Sequence, residues 1–132
     1  MESTATGTFT VALASEPVSP DAIDSGLVRL SIAKQFEGDI TGVSVGEMLS
    51  VGTSVEGSAG YVALERITGT LAGRAGSFAL QHSGLMDRGT PTLAVVVVPD
   101  SGTGGLAGLA GTFEIEIAGD EHRYVLRYTL PD

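Results

Sequence analysis

The stretch Phe113-Glu114-Ile115-Glu116-Ile117-Ala118-Gly119-Asp120-Glu121-His122-Arg123-Tyr124-Val125-Leu126 decides the fold. Its first five residues alternate apolar and acidic side chains, the period of a strand with one buried face. Gly119-Asp120 then supplies a two-residue turn. A hairpin built on that turn pairs Ile117 with His122, Ile115 with Tyr124 and Phe113 with Leu126. The apolar faces of the two strands coincide in this register, and a slip of one residue would destroy the match.

The same stretch settles how the residues before it are read. Ser101-Gly102-Thr103-Gly104-Gly105-Leu106-Ala107-Gly108 follows a valine-rich segment, and Gly102, Gly104 and Ala107 have the spacing of a dinucleotide-binding turn. That motif works by opening a helix whose N-terminus meets a pyrophosphate. Here a strand follows, not a helix, and the Gly-Lys-Ser/Thr of a phosphate loop is missing. The glycine run is therefore a tight turn or bulge where the sheet bends.

Period-two alternation recurs upstream, in Thr8-Phe9-Thr10-Val11-Ala12-Leu13 and in Val28-Arg29-Leu30-Ser31-Ile32. It predicts strands near 4–13, 26–37, 39–51, 58–72, 74–83, 92–99, 108–118 and 121–130, with one short helical turn after Pro20. Short connections favour pairing in chain order. Eight meandering strands keep two exposed edges unless the first meets the last. The expectation is one all-β domain over 1–132, a closed eight-stranded antiparallel meander barrel.

Composition agrees with that fold. The chain has 132 residues, 42% hydrophobic and 17% charged, with 19 glycines, which suits many short strands and tight turns and gives too little charge for a disordered chain. The net charge of −9 is opposite to what counterion displacement from nucleic acid requires, so neither nucleic acid nor an anionic membrane is an expected partner. Cysteine is absent, which excludes disulfides and thiolate metal sites. The opening Met1-Glu2-Ser3-Thr4-Ala5-Thr6 lacks the basic and apolar regions of a signal peptide, so a cytoplasmic location is expected.

The turns also set which side chains face inward. A hairpin turn at Gly73-Arg74 places Leu71 opposite Gly76, Gly69 opposite Phe78, Ile67 opposite Leu80 and Glu65 opposite His82. A two-residue turn within Glu37-Gly38-Asp39 puts Thr41, Val43, Val45 and Glu47 on the face carrying Leu30, Ile32, Lys34 and Phe36; a three-residue loop would reverse that face. The inner surface then holds Lys34, Glu47, Glu65 and His82 among apolar residues, with Tyr61, Tyr124 and Tyr128. Buried charges persist only when paired or solvated.

Glu65 and His82 are the candidate catalytic pair, because a carboxylate fixes the tautomer of an imidazole and tunes it for proton transfer. The plain alternative is a structural hydrogen-bonded pair. Tyr61, Ile67, Phe78, Leu80, Glu47 and Lys34 are the candidate ligand contacts. A metal site from His82, His122, Glu65 and Glu47 lacks any close His-x-His spacing, so neither metal nor cofactor is expected. A Ser-His-Asp arrangement from Ser77, Ser83 or Asp87 lacks a nucleophile elbow.

Several segments together resemble DUF3224, a family of uncharacterised small bacterial proteins. They are Ala5-Thr6-Gly7-Thr8-Phe9, Lys34-Gln35-Phe36-Glu37-Gly38-Asp39, Tyr61-Val62-Ala63-Leu64-Glu65-Arg66, Gly73-Arg74-Ala75-Gly76-Ser77-Phe78, Gln81-His82, Ser101-Gly102-Thr103-Gly104 and His122-Arg123-Tyr124. The chain departs in its first strand, where Leu13-Ala14 stands in place of an expected aromatic such as Trp. The resemblance implies a closed eight-stranded barrel related to plant allene oxide cyclase, and Gly102 to Gly111 is similar to the glycine-rich lead-in of that cyclase and of dirigent proteins. Those relatives guide cyclisation or coupling of an apolar molecule, which is an analogy of fold and transfers no catalytic residue.

The expected function is binding of a small apolar or amphipathic molecule in the barrel, with isomerase or cyclase chemistry as its enzymatic form. The alternative is a non-enzymatic binding module or a homo-oligomeric assembly module. Outward positions such as Thr4, Thr6, Thr8, Thr10, Arg29, Glu114, Glu116 and Arg127 are polar and argue against an interface there, which leaves other strands, notably around Val95 and Val97, as candidates.

Overall fold

A computed structural model describes residues 2–131. Eight strands follow one another in chain order: β1 (Ser3–Glu16), β2 (Leu27–Gly38), β3 (Ile40–Gly52), β4 (Ala59–Leu71), β5 (Arg74–Asp87), β6 (Thr90–Val97), β7 (Ala110–Ala118) and β8 (Glu121–Thr129). Each pairs antiparallel with the next, and β8 returns to β1 from Ser3↔Tyr128 to Phe9↔His122. The closed, all-β, eight-stranded barrel is thus the observed architecture. One-turn 3-10 segments at Pro20–Ala22 and Gly104–Leu106 are its helical content among the described residues. Closure is uneven: β6 and β7 share a single ladder pair, Val96↔Thr112.

The Gly119-Asp120 hairpin has the register read from the sequence, with Ile117↔His122, Ile115↔Tyr124 and Phe113↔Leu126. Two other turns differ. The β4–β5 turn is Ala72-Gly73, one residue earlier than expected, with both residues at positive φ (50° and 84°). A two-residue type I′ turn needs that conformation, which an alanine adopts only under constraint. The Ala72 amide donates to the Asp39 carbonyl at 2.9 Å, and this bond holds it there. Partners shift by two residues, so Ile67 faces Phe78, Glu65 faces Leu80 and Ala63 faces His82, while the inward face is unchanged.

The β2–β3 turn is longer by one residue and reverses the predicted face. Phe36 pairs with Gly42 and Lys34 with Ser44, so Ile40, Ser44 and Met48 point inward. Thr41, Val43, Val45 and Glu47 point outward, which corrects the expectation. Contacts from distant strands impose the extra residue. Asp39 donates its amide to the Thr6 carbonyl and accepts the Thr6 amide on Oδ2. The Tyr124 hydroxyl accepts the Ile40 amide at 2.8 Å and donates to the Glu37 carbonyl at 3.0 Å.

One end of the barrel is packed solid. Phe36, Ile40, Ile67, Leu71, Phe78, Leu80, Val97 and Leu126 belong to a continuous buried cluster there. Tyr124 stacks on Phe113 with centroids 5.6 Å apart, and Phe36 meets it edge-on at 5.8 Å. The glycine-rich β6–β7 connection folds across this end and drops Leu106 and Leu109 into the cluster. It is tied to β5 by the Thr103 amide on the Ser77 carbonyl (2.8 Å) and the Ala79 amide on Ser101 Oγ (3.0 Å).

Candidate functional site

Alternation carries each strand's inward side from the packed end toward the other mouth, and along that path burial fails. On β7, Phe113 is 3% exposed and Ile117, two inward steps on, is 70% exposed. Leu13, Val28, Met86 and Leu93 are inward positions on β1, β2, β5 and β6 that are likewise exposed. Inward-facing apolar side chains in contact with solvent mean that this end of the barrel is open.

Three charged or ionisable side chains form the floor between the two regions. Lys34 from β2, Glu65 from β4 and His82 from β5 are 7%, 2% and 4% exposed. Glu65 Oε2 accepts from Lys34 Nζ at 2.7 Å and meets His82 Nε2 at 2.8 Å. The two-residue shift of the β4–β5 register makes Glu65 and His82 diagonal neighbours, and both side chains are long enough to meet across it. Gly46, opposite Glu65 on β3, makes the close approach possible, because a Cβ there would collide with the Glu65 Cα and Cβ. Lys34 Nζ also lies 4.9 Å from the centre of the Phe9 ring, in a cation–π arrangement.

Burial alone pushes the Glu65 carboxyl up, but the hydrogen bond from His82 and the charge and hydrogen bond of Lys34 outweigh it. The net effect holds Glu65 below the usual glutamate range, so it is ionised at neutral pH. An ionised carboxylate accepts only, so His82 Nε2 carries a proton. Nδ1 makes no hydrogen bond with the described residues; in the neutral ring it offers a lone pair. Glu65 Oε1 and the Ser44 hydroxyl oxygen are buried without partners.

Tyr61 stands above this floor at the mouth, half-buried, its ring laid over Gly84 on the neighbouring strand. Burial pushes its phenol up, so it remains a neutral donor. A recess of about 400 Å³ straddles the rim, lined by the inward Met48, Tyr61, Gly84 and Leu93 and by the outward Leu85 and Thr92. His82 lies one inward step below Gly84, and Glu65 two below Tyr61.

The other expected site residues have different places. Ile67, Phe78 and Leu80 lie in the packed cluster beneath the floor and are at most 1% exposed, so they present no surface to a ligand. Glu47 is outside the barrel in an ion pair with Arg29, a consequence of the longer β2–β3 turn. His122 packs on the Phe9 ring at 5.2 Å, beside the notch where β1 leaves β8. His82, His122, Glu65 and Glu47 therefore do not converge, and among the described residues no group of three His, Cys, Asp or Glu does. Ser44 was missed in the sequence; its inward face follows only from the odd turn at Asp39.

The family described as "Protein of unknown function (DUF3224)" matches residues 5–128, nearly the whole chain. The chain belongs to DUF3224. A crystal structure of a DUF3224 protein of unknown function from Shewanella oneidensis MR-1 is similar throughout, with a TM-score of 0.91 and 42% identity. The match covers 100% of this chain and 99% of that one. A comparison with curated proteins finds no match. The DUF3224 barrel is consistent with the allene oxide cyclase-like fold that the sequence resemblance implied.

Proposed function

We propose that this DUF3224 barrel binds a small apolar or amphipathic molecule that enters the open mouth and rests on the Lys34–Glu65–His82 floor. One observation carries the reading: inward apolar side chains stand exposed directly above a buried, charged, hydrogen-bonded triad. The rim recess beside Met48, Tyr61 and Leu93 favours an apolar body, and the triad below it supplies the few convergent polar groups that would fix a ligand's orientation. The contacts are Tyr61, Met48, Leu30 and Leu93 along the wall and Lys34 and His82 at the base. In the enzymatic form, an isomerase or cyclase, His82 Nδ1 takes a proton from the ligand and returns it at another atom, while Glu65 holds the ring and stabilises the imidazolium.

A thermal-shift screen of small molecules tests this, repeated with Glu65→Gln and His82→Ala. A ligand that binds the folded form raises its melting temperature. Hits weakened by both substitutions support the site; hits unaffected by either place binding elsewhere and overturn it.

Self-assembly is a second reading, favoured by one feature. The outer faces of β3 and β4 carry Val43, Val45, Leu49, Val62 and Leu64 exposed side by side. Val95 and Val97, the positions expected to form such a face, are buried in the lumen instead. Of the charges on and beside this face, Arg29 and Glu47 pair with each other, and Arg66 lies opposite Val45. The face therefore carries no excess of negative charge on a molecule of net charge −9, so a second copy meets little repulsion there. Sedimentation equilibrium checks it: a monomer at every concentration, unchanged by Val45→Lys, removes this reading.

A further inference from the structure

Lys34 is the only lysine in the chain, against six arginines and two histidines. The surface ion pairs use arginine throughout: Arg29 with Glu47, Arg123 with Glu121, Arg127 with Glu114. The one amine is placed inside the barrel, buried and ion-paired, beneath the inward apolar side chains of the open end. A purely structural role does not account for this choice. Arginine is the better partner for a buried carboxylate, since its planar fork bonds both oxygens at once. Lysine reaches only Oε2, a site that His82 already shares, and Oε1 is left buried without a partner. What lysine offers and arginine does not is a nucleophilic nitrogen.

From this we infer that Lys34 captures a carbonyl compound, an aldehyde or ketone, as an imine in the lumen. The inference rests on the binding reading above and names its ligand class. The ammonium proton passes along the 2.7 Å bond to Glu65 Oε2, giving free amine and carboxylic acid. Nζ attacks the carbonyl carbon; the N–C bond forms, the C=O π bond breaks, and an amine proton moves to the oxygen, giving a carbinolamine. Glu65 then returns its proton to that hydroxyl, which leaves as water through the mouth. The products are an iminium cation and a carboxylate, so charge and atoms balance without oxidant or reductant. The iminium keeps the partners the ammonium had, Glu65 and the face of Phe9.

The test is trapping with hexanal and with benzaldehyde in the presence of sodium cyanoborohydride at neutral pH, read by intact mass and peptide mapping. The chain has two kinds of primary amine, Lys34 and the N-terminal α-amine. An ordinary lysine is the slower of the two at neutral pH, because its pKa of about 10.4 leaves less free amine than the α-amine's 8 or so. The expected result is labelling of Lys34 about tenfold or more faster than the N-terminus, because a carbonyl bound in the lumen is held against Nζ. Lys34→Arg should abolish the lumen adduct and spare the N-terminal one, and Glu65→Gln should slow it.

Labelling confined to the N-terminus of the folded protein, or labelling of Lys34 only in urea, overturns the inference. So does trapping at the same rate in Glu65→Gln, since that removes the proton acceptor. A parallel thermal shift with 1-hexanol and benzyl alcohol, which have the same bodies without a carbonyl, separates the two readings. Stabilisation by the alcohols without trapping leaves the binding site standing and removes the imine; absence of both removes both.

Discussion

The two ends of this barrel are made from the same strands with the same alternation, yet one is a solid core and the other an open funnel. At the closed end Ile67, Phe78 and Leu80 are fully enclosed; at the open end Leu13, Leu93 and Ile117 occupy equivalent inward positions and meet solvent. What differs is the covering. The β6–β7 connection crosses the closed end and seats Leu106 and Leu109 inside it; at the other end the Arg88-Gly89 and Gly119-Asp120 turns are too short to reach over, and the longer 17–26 connection is tied to the outward Arg29 through the Pro17 carbonyl. Strand periodicity decides which way a side chain points. Whether that direction is an interior depends on connections that carry no such period.

Core truncation gives the largest test of the contrast. Phe78→Ala should cost about 3–5 kcal/mol by urea denaturation, and Ile117→Ala at the funnel rim no more than about 0.5 kcal/mol. Equal losses would mean that the funnel is closed in solution. The floor comes next. Lys34→Met leaves Glu65 buried without its cation and should destabilise by about 3 kcal/mol, much of it recovered in Lys34→Met/Glu65→Leu, where no charge is stranded. A double variant no more stable than the single one would show that the Lys34–Glu65 pairing is not what the lysine contributes.

Glycines sharpen the same contrast on a smaller scale. A Cβ at Gly7 would collide with the Glu37 carbonyl and the Tyr124 hydroxyl, in the pinned region around the β2–β3 turn. Gly7→Ala should therefore cost about 1–3 kcal/mol. At Gly84 the obstacle is the half-buried Tyr61 ring, which can swing into the funnel, so Gly84→Ala should cost less and alter ligand binding more. Comparable losses at both sites would mean that the rim is as rigid as the closed end.

Acid gives the smallest effect. The folded-state pKa of Glu65 is depressed, so its contribution is complete above the unfolded carboxylate value of about 4.3 and is lost as pH falls through that value and the lower folded one. Stability measured from pH 7 down to pH 3 should fall less steeply for Glu65→Gln than for the parent chain. Parallel curves would contradict the triad's electrostatics.

Much of this was legible in the residues. The alternation of 113–117 and the Gly119-Asp120 turn give a hairpin correct to the residue, and closure follows from having eight meandering strands. Glu65 and His82 share a face by parity alone, which is why their meeting survived a turn placed one residue late. Glu47 and Ser44 were not legible, because their facing depends on Asp39. That residue's conformation is set by Thr6 and Tyr124, far away in the chain. Nor could local pattern show that Ile67, Phe78 and Leu80 lie under a lid. The signal available for the floor was a count: a chain with one lysine, and that lysine in the alternating run of β2.

The single ladder pair between β6 and β7 gives this cylinder a clasp. Parting the wall there sacrifices one stitch, while parting it anywhere else tears a long seam. The wall is therefore weakest along this one line, where the strand after the glycine-rich connection rejoins the cylinder.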